Sequence, residues 1–131
     1  MPREEATAAL SALLERICGG GAHADCVTAV YAFGSYARGA LTVGDVDVDI
    51  QHDEKLHPAV ERELIDNLVV GCDWNTPFRK ALTPPRALQV MFSRIEMIAE
   101  PVLVYERGDT LHQALARRFH HAEPRSRASR T

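Results

Sequence analysis

The chain of 131 residues predicts an α/β (α+β) domain, a mixed sheet of about four strands with helices packed on one face. Three observations predict it. The chain opens on an amphipathic helical pattern, with Ala6, Ala9, Leu10, Leu13, Leu14 and Ile17 at helical spacing. Two β-leaning runs follow, at 26–33 and 45–51, and the second alternates acid and aliphatic with period two. Helical and strand-like patterns then alternate as far as Tyr105.

The first helix spans 2–17. Pro2 suits its first turn, Glu4 and Glu5 suit the positive end of its dipole, and the glycines at 19–21 stop it. After a loop comes the first strand, 26–33, buried and central. Gly34 and Ser35 break it and begin a short helix through Arg38. Residues 40–44 turn the chain into the second strand. In that strand Val46, Val48 and Ile50 point to the core, and Asp45, Asp47 and Asp49 point the other way. Residues 52–57 form a polar loop. Pro58 opens a second helix to about residue 67, with Val60, Leu64 and Leu68 inward. The third strand is expected at 68–74 and a turn-rich loop at 75–85. A helix is expected at 86–98, with Leu88, Met91, Phe92, Ile95 and Ile98 as its apolar stripe. A fourth strand follows at 102–105. A last helix, capped by Asp109 or Thr110, carries Leu111, Leu115 and Phe119.

Neighbouring carboxylates on one strand face repel unless something compensates them. A divalent cation does so, and Mg²⁺ combines a carboxylate or two with substrate phosphates. The Gly34-Ser35 turn offers backbone N–H groups and a hydroxyl suited to a phosphate. Arg38 would reach a triphosphate or hold the acidic strand in an ion pair. A plain solvated strand face is the structural alternative.

Gly34-Ser35, then Ala37-Arg38-Gly39, then alternating aspartates resembles the signature of the DNA polymerase β-type nucleotidyltransferase superfamily. The short chain resembles its minimal nucleotidyltransferases, which act as antitoxins paired with HEPN-domain toxins. The sharp motif covers 34–50 and a looser likeness runs to about residue 108, implying a polymerase-β-like core; the domain is drawn at 1–116, and the basic composition from Arg117 on predicts a disordered tail over 117–131. The resemblance implies Mg²⁺ as cofactor and ATP or another NTP as substrate. Gly34, Ser35 and Arg38 would bind the nucleotide, and Asp45, Asp47 and a third acid would be the catalytic, metal-holding carboxylates. Nine residues separate Ser35 from Asp45, a short gap for the family; Asp47 and Asp49 fit a longer one. Asp45 and Asp47 keep the family rhythm and are preferred. The third acid belongs on a neighbouring strand, and Asp73, at the end of the run 68–74, is the candidate; Asp49 and Asp66 are the alternatives.

Composition bounds the rest. A net charge of −3 disfavours nucleic acid as the main substrate. No apolar run reaches membrane-spanning length, and the N-terminal stretch is neither a signal nor a transit peptide. Three cysteines without metal-ligand spacing read as reduced thiols, hence a cytoplasmic protein. A chain this small has no added acceptor-binding domain, so the acceptor is expected on a partner. By the resemblance, that partner would be a HEPN-domain toxin, whose hydroxyl would receive AMP. A homo-oligomer is compatible with the sequence. Two alternatives are a non-catalytic binding antitoxin and an aminoglycoside-type small-molecule transferase.

Overall fold

The structure is a computed structural model and describes residues 1–122. Helix α1 (Arg3–Cys18) is followed by strand β1 (Val27–Phe33), the one-turn helix α2 (Gly34–Ala37) and strand β2 (Val46–His52). Helices α3 (Pro58–Val69) and α4 (Thr76–Leu82) lead to β3 (Leu88–Phe92), β4 (Val102–Glu106) and α5 (Leu111–Ala122). The four strands make one mixed sheet in the order β3-β2-β1-β4. β1 is antiparallel to both β2 and β4, and β2 is parallel to β3.

The sheet buries one face under helices. Val30, Ala32, Val46, Val48 and Ile50 meet Leu10, Leu13 and Leu14 of α1 in a core that also holds Phe78 and Leu82 of α4. On β3 the alternation is clean: Leu88, Val90 and Phe92 are buried, while Gln89 and Met91 face out. Asp47 and Asp49 therefore lie on the face away from the helices. The last helix is capped as expected: Thr110 Oγ1 accepts from Gln113 N at 3.1 Å and Gln113 Oε1 accepts from Thr110 N at 2.9 Å. No helix among the described residues is long and apolar enough to cross a membrane.

Three expectations are corrected. The run 68–74 is not a strand. α3 continues to Val69, and Gly71, at φ +86°, closes it with bonds from Gly71 N to Leu68 O and from Cys72 N to Asn67 O. Leu68, Val69 and Val70 have no sheet neighbour and are 55%, 78% and 75% exposed, so Leu68 is not a core residue. The region 86–98 is not a helix. Its apolar residues satisfy period two from Leu88 to Phe92, and the parallel bonds of β2 supply the partner a strand needs. Ser93, at φ +55°, ends it, and only a 3₁₀ turn follows at Ile95–Met97. The loop expected at 75–85 contains α4, anchored by the fully buried Phe78. α5 runs through the boundary drawn at 116/117. The remainder of the basic tail, from Glu123 through Arg125, Arg127 and Arg130, lies outside the described residues.

Candidate nucleotide and metal site

The site is built by the pairing of β1 with β2. Phe33, the last residue of β1, stands opposite Asp47. The next residue, Gly34, turns the chain at φ +77°, and a Cβ there would sit 2.6 Å from Asp47 Oδ2. Only glycine admits this approach in this conformation. The glycine turn and the acidic strand, twelve residues apart, thus meet in space.

Gly34 and Ser35 open α2, whose single turn is tied by Arg38 N to Gly34 O at 3.1 Å and Ala40 N to Ser35 O at 3.0 Å. Ser35 is half-buried. Arg38 is exposed and forms no ion pair among the described residues, so its charge is not committed to the acidic strand. Asp45 lies one residue before β2 and is exposed; Asp47 is half-buried. Burial pushes the Asp47 carboxyl above its ordinary value, and the charge of Asp45 pushes it the same way.

Asp49 is placed differently. It is fully buried, accepts from Arg94 N at 2.9 Å and from Gln51 Nε2, and so fastens the turn that leaves β3. Asp49 is thus engaged in structural bonds on both oxygens, whereas no such bond is seen for Asp45 or Asp47 among the described residues.

Asp73 is not brought to this pair. It sits exposed in the turn between α3 and α4, where its Oδ1 accepts from Asn75 N at 3.1 Å. Asn75 in turn meets His52 Nε2 at 2.9 Å. His52 ends β2 and Asp47 begins it. Five residues of strand at about 3.3 Å each put roughly 16 Å between those ends. The expectation rested on a strand over 68–74 that does not form. Asp66 is exposed on α3. His52 stacks on Phe78 at 3.9 Å between centroids, which makes it a packing residue.

The neighbour of Asp47 on β3 is Gln89, exposed and in register with it. This position went unnoticed in the sequence; the alternation Leu88, Val90, Phe92 was the signal that would have found it. Among the described residues no group of three or more His, Cys, Asp or Glu is placed to hold a metal. The donor set at the site is therefore two carboxylates that repel each other beside a backbone turn. Such a pair fits a hard divalent cation completed by phosphate and water oxygens, and does not fit an all-protein cage.

The family model that matches the chain is that of the DNA polymerase beta palm, over residues 1–118. Searches of curated proteins and of solved structures found no match.

Proposed function

The chain belongs to the DNA polymerase beta palm family, and from that premise we propose that it is a Mg²⁺-dependent nucleotidyltransferase of the cytoplasm that moves AMP from ATP onto a hydroxyl of a partner protein. The partner is a HEPN-domain toxin, and the chain is its antitoxin. The observation that carries the reading is the contact between the Gly34 turn and Asp47 on the open face of the sheet. The family match supports reading that contact as a nucleotide site rather than as an ordinary tight turn.

In this reading the triphosphate lies against the backbone N–H groups and hydroxyl of Gly34 and Ser35. Arg38 adds positive charge where negative charge develops. Asp45 and Asp47 hold the divalent cation, which supplies further positive charge to the phosphates when bound. The acceptor oxygen forms its bond to the α-phosphorus, the bond to the β-phosphate oxygen breaks, pyrophosphate leaves, and the hydroxyl proton passes to solvent or to a group on the acceptor.

A second reading has its own support. Gln89 stands on the strand next to Asp47, where a third carboxylate would belong. An amide there cannot take the acceptor proton, so a protein that binds nucleotide and partner without transfer is the rival. Transfer of label from α-labelled ATP decides between them, run with and without the toxin and repeated with Asp45→Asn plus Asp47→Asn. Label on the toxin that is lost in the double variant supports the transferase. A stable complex with no label supports the binder. Label that persists in the double variant overturns the site.

A further inference from the structure

We infer that Arg3 is a positioning residue for the phosphate end of this site; the inference rests on the nucleotide reading above. Arg3 occupies the first turn of α1, where a positive charge opposes the helix dipole. It is nonetheless buried, at 6% exposed. Its contacts explain the placement. Nη1 donates to Tyr36 O at 3.0 Å and to Ala40 O at 2.8 Å, and the guanidinium carbon lies 4.3 Å from the centroid of the Tyr36 ring. The Arg3 backbone N donates to Leu41 O at 2.9 Å. One residue thus grips both ends of the segment that carries Arg38.

The grip passes on to the turn. Ala40, whose carbonyl accepts from Arg3, donates its own N–H to Ser35 O; Tyr36, the other carbonyl held, accepts from Gly39 N at 3.0 Å. From guanidinium to Ser35 the path is two hydrogen bonds across one residue. The Tyr36 hydroxyl makes a separate contact, 2.8 Å from Thr7 Oγ1, that involves neither carbonyl held by Arg3. A lysine would keep the charge but lose the fork and the flat face on the ring.

The test uses the full chain as Arg3→Lys, with Thr7→Val as a control that removes the hydroxyl partner and leaves both carbonyl bonds. Amide hydrogen exchange is followed at Arg38, Gly39 and Ala40, and affinities for MgATP and for Mn²⁺ alone are measured by calorimetry. Arg3→Lys is expected to speed exchange at those three amides and to weaken MgATP about tenfold each, the scale of one lost hydrogen bond. β1 and β2 amides and the Mn²⁺ affinity should stay unchanged. Thr7→Val should lower thermal stability without either effect. Exchange accelerated equally across the sheet, or unchanged exchange with unchanged MgATP affinity, would overturn the inference. If the unsubstituted chain binds no MgATP, the nucleotide reading falls, and the exchange result alone then decides whether Arg3 orders the loop.

Discussion

Gly34 and the two aspartates on β2 behave differently because their surroundings differ. Gly34→Ala puts a Cβ against Asp47 Oδ2 at a positive φ. The left-handed backbone costs about 1–2 kcal/mol for any other residue, read as a lower urea midpoint. The larger effect falls on the site, because the carboxylate must rotate out of its place; divalent-cation binding should be lost in calorimetry even where the fold survives. Asp47 and Asp49 should respond in opposite directions. Asp47 carries its charge against burial and against Asp45, so Asp47→Asn relieves the fold and should raise the melting temperature by about 1–3 °C, as a few tenths of a kcal/mol does in a small domain, while abolishing cation binding. Asp49→Ala strands the N–H of Arg94 and the amide of Gln51 and should cost about 1–3 kcal/mol. Equal responses at the two positions would refute the division of labour between them. The choice of Asp45 with Asp47 rested on residue rhythm; what distinguishes Asp49 is the turn at Arg94, forty-five residues away, which no local pattern reveals.

At the scale of elements, strands were legible where two signals agreed and misread where one stood alone. β1 and β2 combine β-branched residues with a breaker at the correct end, and the structure keeps both within a residue of the expected bounds. The apolar run Leu68-Val69-Val70 has strand composition, but it finishes a helix whose buried face is complete at Leu64. What covers those three residues is not written in their own order. For β3 the same ambiguity ran the other way, since Leu88, Met91, Phe92, Ile95 and Ile98 fit a helical stripe until the parallel bonds of β2 claim the segment Leu88–Phe92. Two substitutions check this assignment. Leu68→Gln should change stability by less than about 0.5 kcal/mol because the side chain is exposed, whereas Leu64→Ala should cost about 2–5 kcal/mol in a denaturant melt. The consequence for chemistry lies on β3: Gln89→Glu places a third carboxylate in register with Asp47. It should tighten divalent-cation binding about tenfold, and in the ion-free protein it should lower the melting temperature through like-charge repulsion across the strands. An unchanged cation affinity would mean that Gln89 does not face the acid pair.

For the whole molecule, the site sits at one end of β2, while the contacts that give the fold its stability, such as the Phe78–His52 stack and the α1 face against β1 and β2, lie along the sheet and at its other end. The family and the core architecture were readable from seventeen residues, 34–50, because the glycine turn and the acidic strand are adjacent in both sequence and sheet. The residue beside Asp47 on the next strand was not, because it depends on which segment pairs with β2 on the side away from β1. This separation of site from core gives a prediction for the intact chain. Neutralising Asp45 and Asp47 together should leave folding cooperative, so any stabilisation by ligand measures the site alone. A ligand that binds only the folded state adds about 2.7 kcal/mol at one hundred times its dissociation constant, and a domain of this size converts that into a rise of about 5–15 °C in melting temperature. MgATP at saturating concentration should produce such a rise in the native chain, ATP with a chelator a smaller one, and neither should move the Asp45→Asn, Asp47→Asn protein by the full amount. An equal rise in the double variant would place the nucleotide elsewhere on the molecule. With no rise in either protein, the acidic pair would be a surface feature of a partner-binding domain, and the labelled-transfer experiment would then find a complex without chemistry.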